Sequence, residues 1–190
     1  MTMTTTWITR RRTKTSAAVA LVAILGAVGL FGGMSPGAAA PSPIAVTPLT
    51  ERAAFTDDVA VQIRNRFPGR GTDVLNMRDA SNAFVAEVVI QPGATFPWHT
   101  HPGPVVINIA GGEFTYVLGE DCLEREYEGG QALIDAGGDN VHTAFNPGDT
   151  ETVVIATFFD VPDEGALTVP VDEEQMDRLD DRCGLKTPRP

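Results

Sequence analysis

Three histidines are the residues in this sequence whose type and spacing could do chemistry. His99 and His101 stand one residue apart in the segment WHTH, and His142 follows about forty residues later in NVHTAFN; the chain contains no other histidine. Neutral imidazole is a common ligand of divalent transition metals. Three imidazoles on one ion leave positions open for water or substrate, so the pattern predicts a site for Zn, Fe, Mn, Ni or Cu.

Extended strands would have to position these side chains. Residues two apart on a strand face the same side of a sheet, so His99 and His101 would project together. Alternating β-branched and aromatic residues, with Gly, Pro, Asp and Asn clusters at intervals of about 8 to 12 residues, predict an all-β sandwich or barrel. The predicted strands are 59–65, 72–78, 83–91, 105–110, 113–119, 123–128, 131–136, 141–146 and 152–161.

One helix is predicted, over Val171 to Cys183. Its first turn is acidic, and Met176, Leu179 and Cys183 recur at spacings of three and four, which gives it one apolar face. We expect it to pack across the barrel and to bring Cys183 to Cys122 as a disulfide. The alternative is two free thiols.

Residues 1–40 are predicted to be a secretory signal peptide. Four basic residues without an acid form its n-region, an uncharged apolar run spans 17–31, and small residues follow it, with cleavage expected near Ala39 or Ala40. The alternative is an uncleaved membrane anchor, although the run is shorter than the roughly 20 residues that span a bilayer. Residues 41–54, rich in proline, are interpreted as a linker or extended lead-in, 55–170 as the barrel domain, and 171–190 as the C-terminal helix and tail.

The protein without its signal peptide is strongly acidic. Residues 1–40 hold four of the 14 basic side chains and none of the 25 acidic ones, so their removal leaves a net charge of −15. Such a surface disfavours nucleic acid and anionic membranes as partners. A small-molecule ligand is the expected partner.

Two segments resemble the two motifs of the cupin superfamily. GATFPWHTHPGPVVINIAGG resembles the first motif, and GGQALIDAGGDNVHTAFN resembles the second when one extra residue is allowed before the histidine. The matching positions are Gly93, His99, His101 and Gly112, and then Gly130, Gly138, His142 and Asn146.

The resemblance covers roughly residues 70–160 and implies a fold. That fold is an all-β double-stranded β-helix, the cupin or jelly-roll barrel, here followed by a short C-terminal helix. The resemblance also implies a divalent metal cofactor, Fe, Mn, Zn or Ni, held at the barrel mouth by His99, His101 and His142. Asn146 is implied as a structural residue or as one that supports a metal ligand without touching the metal. Cupins often pair sheets edge to edge, so a homodimer is an expectation.

The sequence departs from the first motif at an acidic ligand. Val105 stands where that motif carries glutamate, and Ala136 replaces the proline of the second motif. Glu113 follows two glycines in a turn and is expected to face solvent, so it is not a replacement ligand. Val105, Ile107 and Ile109 would form an apolar inward face behind the metal.

The aromatic residues near the histidines are weaker candidates for a functional role. Alternation puts Phe96 and Trp98 on the face opposite the imidazoles, unless the bend at Pro97 turns one of them around. Tyr116 shares a strand face with Phe114, and its hydroxyl is a candidate proton donor; ordinary filling of the barrel is the alternative.

Three functions follow from these observations. The first is an exported, divalent-metal-binding cupin of unassigned small-molecule specificity. The second is a dioxygenase-type enzyme acting on a small anionic, chelating substrate, because three-histidine cupins that act as non-haem iron dioxygenases exist. The third is a non-catalytic ligand-binding or structural cupin, in which the histidines could be a relict site that only packs.

Overall fold

A computed structural model describes residues 43–190 of the chain. The predicted signal peptide, residues 1–40, lies outside the described residues. Within 43–190, none of the helical structure is long and apolar enough to cross a bilayer.

Thirteen strands and one helix make up the described part of the chain. In order they are β1 (Ile44–Pro48), β2 (Ala53–Ala54), β3 (Val61–Asn65), β4 (Asp73–Met77), β5 (Asn82–Ile90), β6 (His99–Thr100), β7 (Val105–Gly111), β8 (Glu113–Leu118), β9 (Glu124–Glu128), β10 (Ala132–Asp135), β11 (His142–Phe145), β12 (Thr152–Val161), β13 (Val169–Pro170) and α1 (Glu173–Cys183). All nine predicted strands are confirmed, with their ends moved by at most two residues.

Two antiparallel sheets face each other across the core. The first has the order β1-β5-β12-β7-β10, with β2 also paired to β5, and the second has the order β13-β6-β11-β8-β9; β3 and β4 form a separate hairpin. Strand β5 is buried at every second residue, as the sequence alternation requires. The double-stranded β-helix with a C-terminal helix is therefore confirmed.

Apolar side chains from both sheets form one buried cluster. The first sheet contributes Val88, Ile90, Val105, Ile107, Ile109, Leu133, Val154 and Ala156, and the second contributes Phe114, Tyr116, Leu118 and Ala144. Phe67, from the connection between β3 and β4, closes this cluster by stacking on the ring of Tyr116 at 5.9 Å.

The segment interpreted as a linker or extended lead-in is part of the first sheet. Strand β1 runs antiparallel to β5 with Ile44 opposite Ile90, and β2 pairs with the same strand. Pro43 and Pro48 lie just before β1 and at its last residue, and β1 is at the sheet edge, where a missing N–H is tolerated. The prolines that argued against a strand are thus placed where a strand accepts them.

Helix α1 packs on the second sheet. Its N-cap residue is Asp172, whose side chain accepts a hydrogen bond from the Gln175 N–H, so the helix begins two residues later than predicted. Gly184 ends the helix with a φ of 69°, in the left-handed region that suits glycine. The buried helix residues Met176 and Leu179 contact Trp98 and Val117.

A disulfide joins Cys122 to Cys183 across 61 residues of sequence, as predicted. It ties the last residue of α1 to the turn between β8 and β9. The bond therefore reinforces the apolar contacts of the helix with a covalent link.

We expect the double variant Cys122→Ser, Cys183→Ser to lose about 2–4 kcal/mol of unfolding free energy, because the cross-link restricts the unfolded chain. Guanidinium unfolding of the variant and of the parent measures the difference. The reduced parent is the control and should match the variant. Equal stability of oxidised parent and variant would contradict this expectation.

Candidate metal centre

The fold brings the three histidines together in the barrel. His99 begins β6 and His142 begins β11, and the two are directly paired across these antiparallel strands. The ring centroids lie 4.9 Å apart for His99 and His101, 4.2 Å for His99 and His142, and 5.2 Å for His101 and His142. All three side chains are buried, and each offers a ring nitrogen within 4.8 Å of the other two.

Backbone carbonyl groups fix the orientation of all three rings. The Nδ1 acceptors are the carbonyl oxygens of Pro97 for His99 at 2.7 Å, of Leu167 for His101 at 2.7 Å, and of Asn140 for His142 at 3.1 Å. A carbonyl oxygen can only accept, so each Nδ1 carries the hydrogen. In the neutral ring, each Nε2 is then left with a free lone pair.

Burial keeps His99 and His142 neutral. Burial, and then the neighbouring His101, lowers the pKa of His142 to about 3. Burial, followed by the nearby His142 and His101, also holds the pKa of His99 well below its usual value. At neutral pH these two rings are therefore unprotonated and free to donate lone pairs.

A buried carboxylate that the sequence analysis did not single out lies beside the histidines. Asp135, the last residue of β10, is fully buried. Its Oδ1 atom accepts hydrogen bonds from the Tyr116 hydroxyl at 3.0 Å and from the Gly137 N–H at 3.3 Å. Its Oδ2 atom has no hydrogen-bond partner among residues 43–190 and lies 3.8 Å from Nε2 of His101. Burial raises the pKa of the Asp135 carboxyl group, and His101 opposes that effect.

A signal for Asp135 was present in the sequence. Leu133 and Asp135 are two residues apart on a predicted strand, so an inward-facing leucine implies an inward-facing aspartate. The structure confirms that both are buried, with Ile134 between them less so. The acid was overlooked because it lies outside the motif positions that carry ligands.

The two aromatic residues before His99 face different ways. Trp98 is fully buried on the side of α1, and its Nε1–H donates a hydrogen bond to Asp180 at 2.8 Å. Phe96 instead lies 5.8 Å from the His99 ring, between ring centroids, and lines the same cavity. Strict alternation is therefore wrong for Phe96, and the exception allowed for a bend at Pro97 applies.

Tyr116 reaches the histidines. Its ring lies 5.0 Å from that of His142, and its hydroxyl donates to Asp135. Burial, and then the charge of Asp135, raises the pKa of this hydroxyl well above its usual value, so Tyr116 holds its proton.

Asn146 is buried and bonds to backbone groups. Its Nδ2 donates to the carbonyls of Ile90 at 2.9 Å and Thr150 at 2.7 Å, and its Oδ1 accepts from Gly148. These contacts fit the structural role, since they hold the turn after β11. Glu113 is exposed, as expected.

An apolar cavity of about 140 Å³ extends from the histidines into the barrel. Val105 and Ile107 lie in its wall, as the sequence predicted, and so do Val154, Ala156 and Phe158 from β12. The ring of Phe158 meets that of His101 edge to face, with centroids 5.3 Å apart. The ring nitrogens thus border a space that excludes most polar groups.

The neutral histidines predict a pH dependence of stability. The pKa values of His99 and His142 are lower in the folded chain than in the unfolded chain. Below about pH 6.5 the unfolded chain therefore binds protons that the folded chain does not, and the free energy of unfolding decreases as the pH is lowered. Asp135 acts in the opposite sense, since its raised pKa lets the folded state gain a proton first.

With a chelator present, we expect a net loss of about 2–3 kcal/mol between pH 7 and pH 5. Urea unfolding at each pH measures it, and the His142→Gln variant should show a shallower slope. Constant stability across this window would contradict the neutral, buried state of the rings.

Comparison with known proteins gives one family. The family model described as Cupin domain matches residues 86–158, a range that contains all three histidines. No curated protein sequence matches the chain significantly.

Several solved structures are similar to the chain over part of its length. A polyketide cyclase from Streptomyces resistomycificus is 16% identical, with 50% of this chain and 66% of that chain covered and a TM-score of 0.41. A cupin-like protein from Thermotoga maritima is 26% identical, with coverages of 51% and 72% and a TM-score of 0.40. The Cupin_2 domain of an XRE family transcriptional regulator from Enterobacter cloacae is 17% identical, with coverages of 63% and 98% and a TM-score of 0.40. This chain thus spans just under two thirds of the cyclase.

The matched range contains β6 to β11 complete, and these strands belong to the two facing sheets of the barrel. Both histidine segments of the sequence fall inside it. Residues 86–158 of the chain belong to the cupin superfamily.

Proposed function

We propose that the domain binds one divalent metal ion through the Nε2 atoms of His99, His101 and His142. The observation that carries this proposal is the shared orientation of the rings, in which every Nδ1 is bonded to a backbone carbonyl. Ligating histidines commonly use their second ring nitrogen in this way, because the hydrogen bond fixes the tautomer and the ring plane. Burial supports the proposal, since it favours the neutral form that metal ligation requires.

Three nitrogen donors suit Fe, Mn, Zn or Ni. Such an ion, when bound, supplies a positive charge and a Lewis acid at the wall of the cavity. The protein's own part is to hold three imidazole rings in a buried, apolar space, where charges interact more strongly than in water. An anionic ligand is favoured there.

The cavity supports a small ligand with an apolar body. Its volume of about 140 Å³ is close to that of an engineered apolar cavity, about 150 Å³, that admits benzene. Val105, Ile107, Val154 and Ala156 in its wall offer no hydrogen bonds from their side chains. The proposed ligand class is therefore a small molecule with one anionic, metal-binding head and a compact hydrocarbon body.

Oxidation of such an anion by a dioxygenase-type reaction is the second candidate function. The observation in its favour is the protonated hydroxyl of Tyr116, which lies at the histidines; donation to a bound anion would replace its hydrogen bond to Asp135. A non-catalytic binding or structural role is the alternative. Oxygen uptake by the iron-loaded protein with a panel of small carboxylates separates the two.

We also propose that the protein is exported from the cytoplasm. The basic n-region and apolar run within residues 1–40 support a signal peptide. The disulfide is compatible with an oxidising compartment outside the cytoplasm. A homodimer, expected from the resemblance, belongs to the same proposal.

For metal binding, we expect the protein freed of metal to take up one equivalent of Co(II) or Zn(II), followed by calorimetry and elemental analysis. Replacing two ligands in His99→Ala, His101→Ala should weaken binding at least 100-fold, because one imidazole cannot hold the ion alone.

The matched control is Phe158→Leu, which changes a neighbour of His101 that has no donor atom. It should keep the parent's affinity within a few-fold. Unchanged binding by the double histidine variant, or no binding by the parent, would refute the site.

For ligand binding, we expect butyrate to bind the Co(II)-loaded protein about tenfold more tightly than acetate, since two more methylene groups enter the apolar cavity. Changes in the Co(II) absorption spectrum report binding. Ala156→Leu, which narrows the cavity, should remove the preference while metal affinity stays. Equal affinity for the two acids in the parent would contradict the proposed ligand class.

A further inference from the structure

We propose that Asp135 supplies the carboxylate ligand of the metal site, from β10 instead of from the β7 position where the first motif has glutamate. This inference rests on the proposed metal site and names a fourth donor for it.

Strand register places Asp135 beside the missing ligand. In the antiparallel pairing of β7 and β10, Asp135 lies directly opposite Val105. Directly opposed residues project from the same face of a sheet, with Cβ atoms about 4.5–5.5 Å apart. A carboxylate on β10 therefore reaches the space that a side chain at position 105 would enter.

One carboxylate oxygen of Asp135 accepts hydrogen bonds from the protein and the other does not. Oδ1 is held by the Tyr116 hydroxyl and the Gly137 N–H, which together fix the plane of the carboxylate. Oδ2 is fully buried and has no hydrogen-bond partner among residues 43–190. A buried carboxylate oxygen without a partner is costly, so it points to a group that the protein alone does not supply.

A ring nitrogen of the histidine cluster with a free lone pair also lies near Oδ2. It is Nε2 of His101, at 3.8 Å, and the Nδ1–H of that ring is already donated to Leu167. The separation is too long for a hydrogen bond. It is shorter than two metal–ligand bonds of about 2.0–2.2 Å placed end to end, so an ion bound to His101 can contact both atoms. The carboxylate does not lie within 4.8 Å of all three histidine nitrogens, so it would turn toward the ion when the ion binds. Two lone pairs facing each other in a buried site are consistent with a cation between them.

A carboxylate from β10 would change what the site binds. Three neutral imidazoles leave the charge of a divalent ion uncompensated, whereas one carboxylate reduces the net charge of the centre to about +1. The ion is then held more tightly, and an exogenous monoanion gives a neutral complex in the apolar barrel.

The test is Co(II) binding to the parent and to Asp135→Asn, with both affinity and visible absorption spectrum recorded. The amide keeps the shape of the side chain but cannot supply an anionic oxygen. We expect the Kd to rise at least 10-fold and the Co(II) bands to move, because the ligand set has changed. Asp121→Asn is the matched control, since Asp121 pairs with Arg70 and Arg125 away from the histidines, and it should match the parent in both measurements.

A parent-like spectrum in Asp135→Asn, with or without weaker binding, would overturn the inference, since it would show that Asp135 acts only through its charge or through His101. Failure of the parent to bind Co(II) would refute the proposed function itself and this inference with it. If Asp135→Asn does not fold, infrared difference spectra of the parent with and without Co(II) decide the matter: a shifted carboxylate band supports ligation, and its absence overturns it.

Discussion

Three hydrogen bonds from imidazole Nδ1 atoms to backbone carbonyls are the interactions on which the site depends. Inside an apolar barrel, a neutral imidazole must place its one N–H on an acceptor. Pro97, Leu167 and Asn140 provide these acceptors. The remaining nitrogen of each ring is thereby turned inward. The orientation of each ring, and the nitrogen that it leaves available to bind a metal, both follow from the need to give its N–H an acceptor.

The surrounding structure serves to keep the acceptors in place. Strand β6 is only two residues long, yet it pairs on one side with β11 and on the other with β13. The residue before it, Trp98, is anchored to α1 through Asp180. The disulfide fixes the end of that helix to the turn after β8. A short strand with little stability of its own is thus held from three directions.

Much of the fold was readable from the sequence because antiparallel strands with one buried face show a two-residue alternation. All nine strands with that alternation were found. Strands β6 and β13 were missed as such because two residues carry no period. The sheet pairing of β1 was obscured by its prolines, whose tolerance depends on the strand lying at an edge.

Only some residues of the candidate metal site could be predicted from the sequence. The histidines stood out through their spacing, but Asp135 did not, because its relation to Val105 is one of cross-strand register. Register depends on turns and on the packing of both sheets, and no pattern within a single strand contains it. Phe96 was misplaced for a related reason: Pro97 interrupts the extended backbone that the alternation rule assumes. The alternation rule holds within a regular strand, but it contains neither the cross-strand register that places Asp135 nor the bend at Pro97 that turns Phe96.

The acceptor for His101 has a consequence for how the site comes into being. Leu167 lies 66 residues further along the chain, and the helix that anchors Trp98 lies beyond it. A nascent chain that has already formed the pairing of β6 with β11 still lacks these two supports. The hydrogen bond that orients His101 can therefore form only after the chain has been synthesised as far as Leu167, beyond all three histidines.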